Sequence, residues 1–263
     1  MASITLTVRY YRLGPPGDEP YIESNFDFAT REMSIPAEQL GLVLVDCWDI
    51  HPYESHLDRT NQICESILAP AAEACRKAGV AVIHAPSAPQ ARLFPQWTRY
   101  ADDVDLFGAP QAPSDWPPAE KRNGEGDFAQ YVKPEVPRLK QWREEQLPHR
   151  GVAECLLPKP DDFVIATGEQ LHRLCRANGI MHLIYGGFAA NMCVPGRDYG
   201  TRALGARGYT IILLRDGTTA IEAHTTLDGF RLTEAAILDT EMIIGYSALS
   251  ADLIAACGAA AAG

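Results

Sequence analysis

Tyr-Gly-Gly-Phe-Ala-Ala-Asn-Met-Cys-Val, residues 185–194, follows a short apolar segment (Met181 to Ile184) and precedes a stretch of helical spacing (Arg197 to Ala206). The pattern predicts a strand that ends in a tight turn and delivers the Cys193 thiol to the first turn of a helix. A helix N-terminus favours negative charge, and the thiolate is the reactive form of cysteine. A free cysteine is more often a buried packing residue, but the flanking strand, turn and helix point the other way. On this reading Cys193 is more acidic and more readily alkylated than cysteines 47, 64, 75, 155, 175 and 257.

Outward from that segment, strand and helix patterns alternate. Leu42 to Val45 is a continuous apolar run, as expected of a strand buried on both faces. Ile63, Ile67, Ala71 and Cys75 recur at four-residue steps on a helix that ends near Gly79. Val80 to Ile83 and Phe163 to Ile165 are the next strands, and Thr167 with Gln170 forms a capping-box pair opening another helix. Met181 to Ile184, Tyr209 to Leu214 and Met242 to Ile244 complete a set of six strands. A helix is expected over Thr226 to Thr240 and a small terminal one after Ala251. This alternation predicts an α/β fold of three αβα layers around a mostly parallel, six-stranded, Rossmann-like sheet. Ligands of such sheets lie beyond the carboxyl ends of the strands. Asp46, His84 and the Ala189–Cys193 turn all follow strands and should converge there.

Two segments interrupt the repeat. Residues 1–40 start with an alternating strand and a Gly14-Pro-Pro-Gly17 turn, and read as an added hairpin or arm. Residues 86–150 are rich in proline, charge and tryptophan (Trp97, Trp116, Trp142). An interruption of that length is functional or disordered in most proteins, and its aromatic content predicts an ordered lid or an oligomer contact. The expectation is a single domain over residues 1–263 that assembles as a homo-oligomer.

The net charge of −11 excludes nucleic acid or an anionic membrane as the main partner. No run is long enough to span a bilayer, and the start lacks an apolar signal core, so a cytoplasmic location is expected. Seven cysteines without a C-x-x-C spacing suggest free thiols in a reducing compartment. Neither a G-x-G-x-x-G after the first strand nor a G-x-x-x-x-G-K-[ST] is present, so no cofactor is implied and the expected partner is a small-molecule substrate.

Asp46 closes Leu-Val-Leu-Val-Asp, residues 42–46. It either caps the following turn or acts as the base that takes the thiol proton. Trp48 either walls a ligand pocket or packs the core; the residues after it no longer read as core, which favours the wall. Asp49, His51 and His56 resemble a loose metal set, but their spacing is not that of a ligand motif, and loop or hydrogen-bonding roles fit better. His84 is placed to orient the pocket edge. Arg197 and Asp198 form either a surface ion pair or, through Arg197, a reader of a substrate carboxylate.

With Leu-Val-Leu-Val-Asp at 42–46 and Gly-Phe-Ala-Ala-Asn-Met-Cys-Val at 187–194, the chain resembles the isochorismatase-like cysteine hydrolases over roughly residues 40–85 and 160–250. Members typically carry Gly-Val-Ala-Thr-Asn-Val-Cys-Val at the second motif. The resemblance implies Cys193 as nucleophile, Asp46 as its proton acceptor, and a cis peptide at Phe188–Ala189. It also implies an oxyanion hole from the amides of Ala189 and Cys193. The family's third group, a lysine after the third strand, is missing where Ala166-Thr167-Gly168-Glu169 stands. Lys133 in the insertion and Lys159 before the strand are the nearest substitutes, and Lys133 or Arg197 the candidate replacement cations. Trp48, Glu169 and Arg197 stand as candidate substrate-binding residues, with no metal site. The expected activity is hydrolysis of a C–N bond in a small amide, ureido or carbamoyl compound. The alternatives are vinyl-ether hydrolysis of the isochorismatase type, or a non-catalytic scaffold that lost the lysine.

Overall fold

The computed structural model describes residues 2–107 and 116–262, and among these eight strands form one sheet. They are β1 (Ser3–Arg12), β2 (Asp27–Pro36), β3 (Leu40–Val45), β4 (Ala81–Ala85), β5 (Phe163–Val164), β6 (His182–Phe188), β7 (Thr210–Thr219) and β8 (Tyr246–Ala248). The order across the sheet is β2-β1-β8-β7-β6-β3-β4-β5. The run from β8 to β5 is parallel throughout. A parallel run of six strands is therefore present, as expected in number, but the sheet has eight. β1 and β2 pair antiparallel from Ser3↔Pro36 to Arg12↔Asp27, and β1 adds to β8 at Arg9↔Ser247. The hairpin extends the sheet because Ile4, Leu6 and Val8, on alternate positions of β1, are buried in the same core as Leu42 and Leu44.

The helices are α1 (Glu54–Ile63), α2 (Ala69–Lys77), α3 (Ala88–Ala91), α4 (Asp103–Phe107), α5 (Ala119–Asn123), α6 (Pro137–Glu145), α7 (Gly168–Asn178), α8 (Cys193–Gly196), α9 (Thr201–Ala206), α10 (Arg231–Asp239) and α11 (Ser250–Ala262). A wide π turn at Cys64–Leu68 joins α1 to α2. β3 is buried along its whole length, and its alternation assigns the layers. Leu42 and Leu44 meet Leu68, Ala71 and Cys75, with Leu253 and Cys257 of α11, on one face. Val43 and Val45 meet Leu171, Leu174, Cys175, Leu204 and Ile237 on the other. Helices on both faces of a parallel sheet give the three-layer α/β fold. Among the described residues no helix is long and apolar enough to cross a membrane.

Three local expectations are corrected. The apolar run Met242–Ile244 is not the sixth strand. Thr240–Ile244 is a π turn continuing α10, and the strand is β8, one turn later. There Glu241 points inward to Arg9 Nε at 2.7 Å while Ile243 is exposed, a helical and not an alternating pattern. A short apolar run carries no period of its own, which is why the two readings compete. The helix expected from Thr226 starts only at Arg231, because Phe230 takes a left-handed φ of 49°. The helix expected over Arg197–Ala206 is broken: α8 ends at Gly196, Arg197 is extended, and α9 starts at Thr201.

Residues 108–115, in the middle of the 86–150 segment expected to form a lid, lie outside the described residues. The described remainder is built of short helices, and α5 and α6 bury none of their residues. α6 faces Pro52–Ser55, with Arg138 Nη2 3.3 Å from Glu54 Oε1. The end of the segment returns to the sheet edge, where Trp48 and Val152 form an antiparallel bridge and Ala153 N donates to Cys47 O at 2.9 Å.

Candidate active site

Asp46 follows β3 with a left-handed φ of 48°, a conformation few non-glycine residues adopt, Asp and Asn excepted. The backbone of β6 presses against this strand end. Gly187, at φ 112°, approaches so closely that a Cβ there would lie 2.0 Å from Val45 O. The Asp46 amide donates to Ala85 O at 3.2 Å, so the turn is tied to β4 as well. The carboxyl is wholly buried. Its Oδ2 accepts from Arg197 Nε at 3.1 Å and Nη2 at 2.8 Å, and its Oδ1 accepts from Ser87 Oγ at 3.3 Å. Ser87 Oγ in turn accepts from Arg197 Nη2 at 2.8 Å. Burial raises the Asp46 pKa above the ordinary carboxylate value, although Arg197, Cys193 and Ser87 all pull it down. A buried carboxylate with a raised pKa is a stronger base than one in water.

Cys193 is the first residue of α8, beyond β6 and a turn whose Phe188–Ala189 peptide is cis. The turn is held against β7: Thr218 Oγ1 donates to Gly187 O at 2.6 Å and Ala190 N to Thr219 O at 3.0 Å. The thiol lies beside Asp46, close enough for the carboxyl and the Ala189 backbone to act on its proton affinity. Contrary to the expected acidity, the thiol is pushed up to about 11, by burial first and then by the charge of Asp46; Arg197 and the Ala189 amide oppose the shift. Cys155 stands at about 11 too, so Cys193 is not set apart by acidity. α8 is a single turn, and its dipole does not outweigh a buried carboxylate next door.

No lysine occupies the position after β5. Thr167 caps α7 by accepting from Gln170 N at 3.1 Å, and Gln170 Oε1 accepts from Ala166 N at 2.7 Å. Gly168 makes room for the chain after α8: a Cβ there would lie 2.2 Å from Asp198 O. Asp198 Oδ2 accepts from Gly168 N at 2.7 Å, and Tyr185 OH, from inside β6, donates to Tyr199 O at 2.8 Å. These contacts hold the extended segment 197–199 so that Arg197 enters where a lysine is absent. The candidate cations therefore separate. Arg197 engages Asp46 and not Asp198. Lys159 Nζ bonds Glu73 Oε2 at 2.7 Å, ahead of β5 and away from the thiol. Lys133 is exposed and does not line the cleft.

Two expected substrate-binding residues are engaged by partners of their own. Arg197 directs Nε and Nη2 into Asp46 and Ser87. Glu169, in the first turn of α7, is more than half exposed and paired with Arg207 at the surface, outside the cleft. Trp48 does form a wall. The cleft, about 110 Å³, has Asp46, Cys193 and Ala189 at one end and Trp48, Phe188 and Ile221 among its walls. His51 and His56 also line it, with ring centroids 4.8 Å apart. Burial lowers both to about 4, so both are neutral near pH 7. Asp49 turns away and accepts from Gly151 N at 2.7 Å, and no group of three potential metal ligands converges among the described residues. His84 does not reach the cleft; its Nε2 lies 3.0 Å from Asp162 Oδ2. Sequence reasoning missed Ser87, two residues past the end of β4, which the strand-end rule alone could have flagged. It also missed Arg150, whose guanidinium lies 3.6 Å from the centroid of the Trp48 ring.

Among solved structures the chain is similar to a cysteine hydrolase from Pseudomonas syringae pv. phaseolicola 1448A. The two are 18% identical, the match covers 86% of this chain and 95% of that one, and the TM-score is 0.53. It is also similar to an isochorismatase family protein from Burkholderia thailandensis, at 19% identity, 84% and 96% coverage and a TM-score of 0.47. At such identities the first likeness speaks for the fold. The comparison with curated protein sequences gave no match. The model of the isochorismatase domain matches residues 53–242, a span that contains Cys193 and begins after Asp46. That match takes in well over half of the chain, which belongs to the isochorismatase family.

Proposed function

We propose that this chain is a cysteine-dependent hydrolase of a C–N bond in a small amide, ureido or carbamoyl compound, working as one domain. The observation that carries the reading is that the Cys193 thiol and the buried carboxyl of Asp46 line one cleft at the strand ends, with Arg197 on the carboxylate. Asp46 takes the Sγ proton as sulfur attacks the carbonyl carbon, so the thiol need not ionise beforehand. The amides of Ala189 and Cys193 receive the developing oxyanion. Collapse breaks the C–N bond, and the proton on Asp46 passes to the departing nitrogen. Water then attacks the thioester and gives a proton to Asp46, which returns it to the leaving thiolate. Arg197 keeps one carboxylate oxygen oriented throughout and supplies the positive charge that offsets Asp46.

Ammonia release from a panel of small primary amides, ureides and carbamoyl compounds tests the reading. Turnover by the wild type, its loss in Cys193→Ala, and an acyl adduct on Cys193 seen by mass spectrometry are expected. A wild type inert toward the whole panel sinks it in favour of a non-catalytic role, and full turnover by Cys193→Ala removes the thiol from the chemistry.

A further inference from the structure

The sheet ends on β2 at one side and on β5 at the other. β5 is two residues long, too short to template a further strand. β2 is ten residues long and keeps one unbroken register with β1, from Ser3↔Pro36 to Arg12↔Asp27. Edge strands are normally kept from pairing by brevity, lysines, bulges or prolines. β2 has no lysine, and its single proline, Pro36, is its last residue. The hairpin is firmly seated as well: Ile4, Leu6 and Val8 are buried, and Arg9 Nε reaches Oε1 of the buried Glu241 at 2.7 Å. It precedes residues 53–242, which match the isochorismatase domain, so this edge is an addition outside the matched domain.

The parity of the ladder says which groups face outward. Ala37 N donates to Ala2 O at 2.9 Å, so the odd-numbered residues of β2 bond to β1. Thr30, Glu32 and Ser34 are exposed and turn their amides and carbonyls out, and Pro36, which has no N–H, falls on the same parity. Copies of a chain with net charge −11 repel unless the contact carries opposite charges of its own. β2 carries them. In a twofold antiparallel pair of identical strands one residue faces its own copy. With Arg31 or Glu32 there, like charges meet; with Thr30 there, Arg31 faces only Ala29. With Ala29 on the axis, Asp27 lies opposite Arg31 twice over and Phe28 opposite Thr30. Phe28 N, now held by Asp27 Oδ1 at 2.7 Å, passes to Thr30 O of the second copy and frees the carboxylate for Arg31.

We propose that β2 is a homodimer interface: it pairs antiparallel with β2 of a second copy about a twofold axis at Ala29, and two eight-stranded sheets become one. The full chain tests this by its mass in solution, measured by sedimentation at about 50 μM, where a contact of micromolar Kd is occupied. Wild type is expected to sediment as a dimer and Thr30→Pro as a monomer. Proline at Thr30 removes an outward donor and leaves the bonds to β1 in place, as Pro36 does, and an unchanged melting temperature separates lost pairing from lost folding. Arg31→Asp should raise the dimer Kd about tenfold, as two attractive cross-strand pairs become repulsive, and the exchange Asp27→Arg with Arg31→Asp should restore it. Ala29→Cys should form an intermolecular disulfide under mild oxidation, since facing Cα atoms of such a pair lie about 4.5 Å apart. Wild type serves as the control for the exposed Cys155. A monomeric wild type overturns the proposal, as does a dimer that folded Thr30→Pro retains. A dimer lost in Thr30→Pro but never trapped by Ala29→Cys overturns the axis at Ala29.

Discussion

Two buried aspartates, Asp46 and Asp162, sit in the same sheet with arginine partners, and they differ in how completely they are satisfied. Asp46 follows β3; its carboxyl holds Arg197 on one oxygen and a long bond from Ser87 on the other. Asp162 precedes β5. It receives Arg76 Nε at 2.9 Å and Nη2 at 2.7 Å on separate oxygens, the Lys159 amide at 2.8 Å, and His84 Nε2 at 3.0 Å. Burial works to raise both carboxyls. At Asp162 the His84 and Arg76 bonds outweigh it and hold the group well below the usual range, whereas at Asp46 burial wins. A saturated carboxylate is a structural clamp. An under-satisfied one beside a thiol is a proton acceptor.

Exchanging the two aspartates for asparagine is the sharpest way to break this contrast. Asp46→Asn should lower turnover about 100- to 10,000-fold, the range of a general base, while unfolding stays cooperative. It should also speed iodoacetamide labelling of Cys193 at pH 8 by about tenfold, since the charge that raises the thiol is gone and one pKa unit is tenfold in thiolate. Asp162→Asn should leave turnover near the wild-type rate and cost about 3 kcal/mol of stability in urea unfolding, as expected when one partner of a buried charge cluster is removed. Loss of activity without loss of stability in Asp162→Asn would erase the distinction.

Acid separates the two regions next. Asp162 has a depressed pKa in the folded state, so its contribution is complete above the unfolded value near 4 and is lost only as pH falls well below that. His51 and His56 fall to about 4 in the folded protein from 6.5. Between those values the unfolded chain binds more protons, so stability declines as pH drops from 6.5 toward 4. Melting temperature across pH 4–7 should therefore fall with acid, and His56→Gln should flatten the slope. A flat wild-type profile would mean the cleft walls do not resist protonation. The smallest effect belongs to Glu169→Gln: turnover unchanged and stability within about 0.5 kcal/mol, as for an exposed pair. A marked loss of activity there would return Glu169 to the site.

The strand ends were legible because β3 and β6 are buried on both faces and so are written as unbroken apolar runs closed by Asp46 and by the turn to Cys193. The replacement for the lysine was legible only as a choice. Arg197 and Lys133 are equivalent as cations in a sequence; Gly168 and Tyr185, by anchoring the segment 197–199, choose Arg197. Arg150 left no signal, since it ends an exposed segment of weak periodicity and gains its place from the pairing of the residues after it with the backbone of Cys47 and Trp48 and the side chain of Asp49, about a hundred residues away.

By itself the sequence determined the layered α/β architecture, the carboxylate and thiol at the strand ends, and the missing lysine, because these follow from local burial pattern and from what is or is not in a short motif. The tertiary structure alone decided that the hairpin completes the sheet, that Arg197 sits on Asp46, that the Cys193 thiol is held protonated, and that Arg150 stacks on Trp48. Each of those depends on which distant groups share a buried, low-dielectric space, and charge, proton affinity and register there are set by neighbours in space and not by neighbours in the chain.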